Sequence, residues 1–314
     1  MKRTSIGWIL LALGVLALGL GACQAPETLS FHRAIQAAYL APHTPVGHQA
    51  ADAQAATREA YPRVFFAVIG DFGVNGPNEA AVAHLVHERN PDFIVTVGDN
   101  NYPNGTKLTW EDNVLRHYGD YIERQAFFPA LGNHDWGYGS PQSTPYQIEA
   151  LDYLPGNRRY YDFLWGPVHF FVLDSNWQEP DGITADSKQA QWLRERLASS
   201  PVPWQVVILH HAPYSSGMHG PQEKLQWPYA EWGADVVIAG HDHTYERIHR
   251  DGILYLVNGI GGASLYNFEH GPVEGSVVRF NKDYGALFVW ADGQQMRFEM
   301  HAVERGLIDS FSLP

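Results

Sequence analysis

The sequence predicts an α/β fold in which two packed mixed β-sheets are flanked by helices. Three observations carry that expectation. Between residues 63 and 239, apolar runs of strand length alternate with stretches of helical spacing, the signature of βαβ units. After residue 250, short strand-like runs punctuated by Gly and Asp follow one another too closely for crossover helices, so they read as antiparallel hairpins completing a second sheet. Composition allows a large core: of 314 residues, 45% are hydrophobic and 13% aromatic.

The first 22 residues stand apart from the rest. Lys2 and Arg3 precede an apolar run over residues 6–20, shorter than the about 20 residues a spanning helix needs. Small residues and a cysteine end it, which is the grammar of an export signal. Leu20-Gly21-Ala22-Cys23 resembles the bacterial lipoprotein box, a likeness that implies lipidation of Cys23 after cleavage. The alternative is an ordinary cleaved signal that happens to contain a cysteine. Cys23 is the sole cysteine, so an exported chain has no disulfide to form and the thiol is free for another use. The expected organisation is a lipoprotein signal peptide at 1–22, a tether rich in Ala, Gln, His and Pro at 23–62, and a folded domain at 63–314. The location would be extracytoplasmic, at a cell surface or in a periplasm, with the membrane reached through the lipid.

Within the domain, strand 64–69 closes in Gly70-Asp71-Phe72-Gly73 and leads to a helix at 78–89. Strand 93–97 ends in Gly98-Asp99-Asn100-Asn101-Tyr102. A helix at 110–124 then leads to strand 127–131 and Gly132-Asn133-His134-Asp135. Strand 168–173 ends at Asp174, residues 185–199 are helical, strand 204–209 ends in His210-His211, and strand 236–239 ends in Gly240-His241-Asp242-His243. The runs at 253–257, 276–280, 287–290 and 296–302 are the hairpin strands.

With 21 Lys+Arg against 34 Asp+Glu, a net charge of −13 and no basic run, binding to a nucleic-acid backbone is excluded, and small molecules or metals are the expected partners. In α/β sheets, ligands bind beyond the carboxyl ends of the strands. Here five strand ends, besides the one at Asp174, each present Asp, Asn or His. Any one of them alone reads as a turn or a cap, but together they offer too many hard oxygen and imidazole donors for a single ion. Two metals, spaced to clamp a phosphoryl group, fit the set, and phosphoester hydrolysis is the expected reaction.

These blocks, Gly70-Asp71, Gly98-Asp99, Gly132-Asn133-His134, His210 and Gly240-His241-Asp242-His243, match in order those of the calcineurin-like metallophosphoesterases, which the chain resembles over residues 63–302. The resemblance implies that family's four-layer α/β/β/α sandwich. Most members carry Asp-x-His in the first block, where this chain has Gly73. Its second block, Asp99-Asn100-Asn101-Tyr102, instead looks like the Asp-x-x-Tyr of purple acid phosphatases, in which a tyrosine phenolate binds ferric iron. A hard anionic oxygen favours trivalent iron over zinc. The size of the chain looks most like the small, single-domain, tartrate-resistant type; Ala212 departs from it, since proline is common there.

Carried over residue by residue, the resemblance places Asp71, Tyr102 and His243 on Fe(III), with Asp99 bridging. Asn133, His210 and His241 then hold a second, divalent metal (Fe, Zn or Mn). His134 would contact the phosphate and protonate the leaving oxygen, and His219, nine residues after His210, would bind phosphate or act as general acid. Either His210 or His211 could be the ligand; the family's Val-x-x-His favours His210 and puts His211 behind it. Asp174 is expected as a cap or as an acceptor for a ligand histidine, and Asp242 as a loop hydrogen-bond former. Trp136, Tyr138, Tyr146, Tyr214 and Trp227 could wall an organic group or simply fill the core. The implied enzyme is an acid phosphatase in which a metal-bound hydroxide attacks a small phosphomonoester. A phosphodiesterase or nucleotidase on the same site, and a non-catalytic phosphate- or metal-binding lipoprotein, are the alternatives.

Overall fold

The computed structural model describes residues 61–137 and 144–314. The expectations for the signal peptide, Cys23, the tether up to residue 60 and Tyr138 lie outside the described residues. No helix among the described residues is long and apolar enough to cross a membrane.

The first βαβ units form as their patterns dictate. β1 (Val64–Ile69), β2 (Phe93–Thr96) and β3 (Phe127–Pro129) are parallel neighbours, and their near-continuous apolar runs are buried. Between β1 and β2, α1 (Pro77–Arg89) starts with proline in its first turn, has His87 and Arg89 in its last, and closes on a left-handed Asn90 whose N–H donates to Val86 O and His87 O. The helix expected at 110–124 begins earlier, as α2 (Lys107–Trp110), and passes through a π-helical turn (Glu111–Leu115) into α3 (Arg116–Glu123). That turn aims Asn113 at the loop after β2: its Nδ2 donates to Tyr102 O at 2.7 Å and to Asn101 Oδ1 at 3.0 Å. Two short helices that the sequence pattern did not signal follow, α4 (Asn133–Trp136) and α5 (Tyr146–Ala150).

In the second sheet, β5 (Val168–Val172), β6 (Trp204–His211) and β7 (Val236–Gly240) run parallel, with β4 (Tyr161–Trp165) antiparallel at one edge. α6 (Lys188–Ala198) is capped by Ser187, whose Oγ accepts from Ala190 N at 3.2 Å. α7 (Tyr229–Trp232) precedes β7.

The C-terminal strands depart from expectation. They divide between the sheets instead of completing one. β8 (Tyr245–Arg250) and β9 (Ile253–Asn258) form a hairpin, and β9 lies parallel to β7. Its turn, Asp251-Gly252, has φ of 54° and 84°, the geometry for which Asp-Gly is the usual sequence signal. β10 (Ser276–Phe280) pairs with β8. β11 (Gly285–Ala291), β12 (Met296–Ala302) and β13 (Gly306–Leu313) form a meander that joins the first sheet through antiparallel pairing of β11 with β1. The orders are β13-β12-β11-β1-β2-β3 and β10-β8-β9-β7-β6-β5-β4.

The sheets pack through interlocked aromatics: Phe66 meets Phe170 edge-on at 5.1 Å, Phe93 lies 4.4 Å from Trp165, and Phe128 stacks on Phe163 at 3.9 Å. A second core under α6, with Leu193 and Leu197 against Phe171, Val207 and Leu209, supplies an outer layer, and Val82 and Val86 of α1 with Tyr118 of α3 are buried on the other side. The four-layer α/β/β/α sandwich is therefore the fold, and the strand ends that carry polar residues converge on one rim.

Candidate metal centre

Three of the residues on that rim sit in the left-handed region that favours glycine: Asp71 (φ 56°), Asp99 (φ 53°) and His241 (φ 67°). Each costs of order 1–3 kcal/mol, and such strain persists where surrounding structure imposes it, commonly at functional sites. Here backbone bonds impose it. Asp71 N donates to Gly98 O at 3.0 Å, and His241 N donates to the Asp71 carboxylate at 3.1–3.2 Å. Asp99 accepts from His134 N at 2.8 Å.

The side chains converge in two groups whose donor atoms all lie within 4.8 Å of one another: Asp71, Asp99 and His243, all buried, and His210, His211 and His241. Tyr102 joins the first group, its hydroxyl 3.1 Å from Asp99 Oδ2 and 3.2 Å from His243 Nε2. Asn133 joins the second, its Oδ1 3.0 Å from His210 Nε2. The structure thus brings together all seven residues expected as ligands.

The tautomers show what this cluster is built for. His210 Nδ1 donates to Val97 O at 2.9 Å and His243 Nδ1 donates to Ser264 O, so both rings turn Nε2 inward, the nitrogen that gives up its proton when a cation takes its place. His210 Nε2 then faces Asn133 Oδ1 at 3.0 Å, His241 Nδ1 at 3.2 Å and Asp99 Oδ2 at 3.4 Å. So many acceptor atoms at close quarters are stabilised by cations, and the mixed carboxylate, phenol, amide and imidazole donors fit two of them.

The electrostatics agree. Burial works against a charged His210, yet the carboxylate of Asp99 outweighs it and lifts the imidazole to about 9; the same field favours any cation at that point. Burial also opposes ionisation of Asp99, but the charge and hydrogen bond of His210 hold it well below the usual carboxylate range. Burial, followed by the charges of Asp99 and Asp71, keeps the Tyr102 phenol neutral well above its ordinary range, so a phenolate there needs a compensating cation.

Close packing leaves no freedom at two glycines. A Cβ on Gly73 would lie 1.8 Å from Asn100 O, so the position where most of the family carries histidine cannot hold a side chain here. A Cβ on Gly98, at φ 94°, would lie 2.7 Å from His210 Nδ1.

The remaining expectations resolve as follows. His134 is half-buried, its Nδ1 2.8 Å from Pro103 O and its ring 4.2 Å from Tyr102. His219 is exposed and stacks on His241 at 4.0 Å, while its N–H donates to Asp242 Oδ1 at 2.8 Å; Asp242 is the loop-former expected. His211 Nδ1 lies 2.9 Å from Ser175 Oγ, and burial followed by the charge of His210 pushes its imidazole down to about 3. Asp174 accepts from Trp136 Nε1 at 2.9 Å and from Asn176 N at 3.0 Å. Its partners are therefore those of the local cap expected, Trp136 and Asn176, and do not include a ligand histidine. Trp136, Tyr214 and Trp227 are buried, which fits core filling.

Sequence reasoning passed over Asp135 and Tyr266. The buried carboxylate of Asp135 accepts from Gly132 N at 2.8 Å, Asn100 N at 3.0 Å and Asn101 N at 3.1 Å, tying the loops after β2 and β3 together. Its signal was an acidic residue three places after Gly132, the spacing of a helix cap. Tyr266 stacks flat on His243 at 3.9 Å, and no local pattern marks it.

The sequence profile of the calcineurin-like phosphoesterase family matches residues 66–245. Purple acid phosphatase 7 of Arabidopsis thaliana is 28% identical over 64% of this chain and 70% of its own length. Fe(3+)-Zn(2+) purple acid phosphatase 12 of the same plant is 28% identical over 62% of this chain and 46% of its own. Among solved structures, the purple acid phosphatase PPD1 of yellow lupin (Lupinus luteus) superimposes with a TM-score of 0.64 at 21% identity, covering 80% of this chain and 54% of that one. GAP50, the anchor in the inner membrane complex of Plasmodium, gives 0.62 at 19% identity, with 80% and 88% covered. Both structural likenesses concern the fold.

Proposed function

Because this chain belongs to the calcineurin-like phosphoesterase family, we propose that it is an acid phosphatase of the purple type, hydrolysing phosphomonoesters with Fe(III) and a second, divalent metal. The observation that carries the reading is the position of the Tyr102 hydroxyl, 3.1 Å from Asp99 and 3.2 Å from His243, beside a Gly73 that cannot carry the imidazole it would replace. The relative named for an Fe(3+)-Zn(2+) centre supports the metal pair.

In this reading Asp71, Tyr102 and His243 would hold the ferric ion, Asn133, His210 and His241 the divalent one, and Asp99 would serve both. When bound, the ions polarise the phosphoryl oxygens and acidify a water molecule. His134, anchored through Nδ1 on Pro103 O, keeps its Nε2 for the phosphate and for the proton that the leaving alkoxide takes up. His219, exposed on the face of His241, would hold a phosphate oxygen from the solvent side; its stacking on that ring supports the role.

The test is the visible absorption spectrum of the protein purified in air, alongside hydrolysis of a simple phosphomonoester. A phenolate-to-iron charge-transfer band that Tyr102→Phe abolishes is the expected result. A colourless, metal-loaded and active protein would replace this reading with a di-zinc or di-manganese phosphoesterase.

Residues 63–314 are the catalytic domain in this proposal, exported and held at a membrane by a lipid on Cys23, with 23–62 as tether. The lipoprotein-box sequence around Cys23 supports it. Labelling with a fatty-acid analogue, lost in Cys23→Ser together with membrane association, is the expected outcome; an unlabelled membrane-free wild type would exclude the anchor.

A further inference from the structure

Beside the metal centre lies a cavity of about 430 Å³ whose lining includes His211, Trp177, Ile183, Leu225 and Gln222. His211 links the two spaces. Its ring lies 4.4 Å from that of His241 and 4.9 Å from that of His210, so the cavity begins one imidazole away from the metal-ligating nitrogens. The volume is in the range that small-molecule sites occupy.

Trp177 is 69% exposed, and it is the only exposed Trp, Tyr or Phe among the described residues. Its loop is not loose. Asn176 and Gln178 on either side are buried; Asn176 Nδ2 donates to Leu131 O at 3.0 Å, and Glu179 N donates to Asn176 O at 3.0 Å. A rigid loop therefore holds a large apolar side chain out in water at the rim of a cavity, where a ligand that covers it loses little conformational entropy. The loop after β6, which contributes Leu225 and Gln222 to the lining, is pinned by Gln222 N donating to Ala212 O at 3.0 Å.

We propose that this cavity receives the alcohol portion of the substrate and that Trp177 stacks on it, so that the enzyme prefers phosphomonoesters whose alcohol carries a flat aromatic ring. The inference rests on the phosphatase reading above and adds the substrate class. Aryl phosphates and nucleotides share the required chemistry: a phosphate for the metal centre and, in the group it esterifies, a planar ring for the indole, attached directly in the first and through a ribose in the second. Stacking of a base on an aromatic side chain has the strength to set such a preference.

The experiment compares phenyl phosphate, adenosine 5′-monophosphate and glycerol 1-phosphate as substrates of metal-loaded wild type, Trp177→Ala and Trp177→Phe. We expect kcat/KM for the two ring-bearing esters, relative to glycerol 1-phosphate, to fall about tenfold in Trp177→Ala, mainly through KM, and to be restored in Trp177→Phe. Gln222→Ala distinguishes the sources. A loss with the nucleotide alone assigns a nucleoside to the cavity, and no loss assigns a plain aryl group. An unchanged ratio in Trp177→Ala overturns the proposal. If wild type cleaves none of the three, the phosphatase reading fails, and calorimetric binding of adenosine 5′-monophosphate to chelator-treated wild type and Trp177→Ala decides the cavity by itself: weaker binding to the variant upholds it, equal binding overturns it.

Discussion

The backbone N–H of Tyr102 donates to the carbonyl oxygen of Gly73 at 2.8 Å, locking the first two ligand-bearing loops together where the first block lacks its usual histidine. The exchange of a histidine for a tyrosine is therefore a matter of backbone packing as well as of ligand chemistry. Gly73→His cannot restore the lost imidazole, because a Cβ there would meet Asn100 O at 1.8 Å. Even Gly73→Ala is expected to lower stability by about 1–3 kcal/mol through overpacking. Tyr102→Phe keeps the backbone bond and should fold as the wild type does and, on the ferric proposal, lose the charge-transfer band that proposal expects. Denaturation curves and spectra of the three variants check this; a stable, coloured Gly73→His would contradict it.

Asp99 lies within reach of residues from both donor groups, His210 at 3.4 Å and the Tyr102 hydroxyl at 3.1 Å. Its replacement by Asn keeps the shape and removes the charge that draws cations to both. Turnover and bound metal should fall together, by about a hundredfold or more in each, as expected when an interaction on which a metal depends is lost. Elemental analysis after dialysis, with initial rates, measures both. Full activity in Asp99→Asn would sink the mechanism.

The cluster of donor residues was readable because metal chemistry restricts residue types and each βαβ unit ends its strand at the same rim. Asp71, Asp99, Asn133, His210, His241 and His243 all follow a strand that the hydrophobic pattern identifies. What depended on distant pairing was not readable. β11 opens the antiparallel hairpin expected of it with β12, but its pairing with β1, more than 200 residues earlier, puts the meander in the first sheet. Asp174 offered a plausible acceptor at a strand end, and only the fold reveals Trp136 as its partner. The exposure of Trp177 was equally invisible, since nothing local separates an indole held in solvent from the buried ones at 136 and 227.

Asp135 supplies the acceptor for three backbone N–H groups in two ligand-bearing loops, so Asp135→Ala leaves several buried donors unpaired at once. A loss of about 3 kcal/mol follows from such unmet donors. The loops also carry Asp99 and Asn133, so metal should leave the variant about 10–100 times more readily under chelator. Denaturant titration and chelator kinetics test the two parts separately; a destabilised variant with unaltered metal retention would confine Asp135 to the fold.

Far from the rim, Asp162 Oδ2 accepts from His169 Nε2 at 2.7 Å and from Arg196 NH2 at 2.7 Å. Burial would raise the carboxyl, but the bonds to His169 and Arg196 win and depress it, so its stabilisation is present above the unfolded value near 3.9 and is lost as pH falls through the lower folded value. His169 is depressed too, chiefly by burial. The unfolded chain then binds the extra proton first, and stability starts to fall as pH drops through about 6.5. Acid should thus destabilise the protein in two stages. Asp162→Asn is expected to cost about 3 kcal/mol at neutral pH by leaving Arg196 facing a neutral group, and to flatten the melting curve against pH below 4. A variant with the slope of the wild type there would move the acid sensitivity elsewhere.

The role given to His134 makes a prediction that depends on the leaving group. An alkoxide needs a proton as it departs, whereas p-nitrophenolate is stable enough to leave without one. If His134 supplies that proton, His134→Ala should slow alkyl phosphates by about 10²–10⁴ and p-nitrophenyl phosphate far less. The ring is held by Pro103 O and Tyr102, so the substitution removes a side chain and no backbone support. Equal losses on both substrates would instead mean that His134 only binds the phosphate, since a grip on phosphoryl oxygens does not distinguish one departing group from another, and the proton would then have to come from His219.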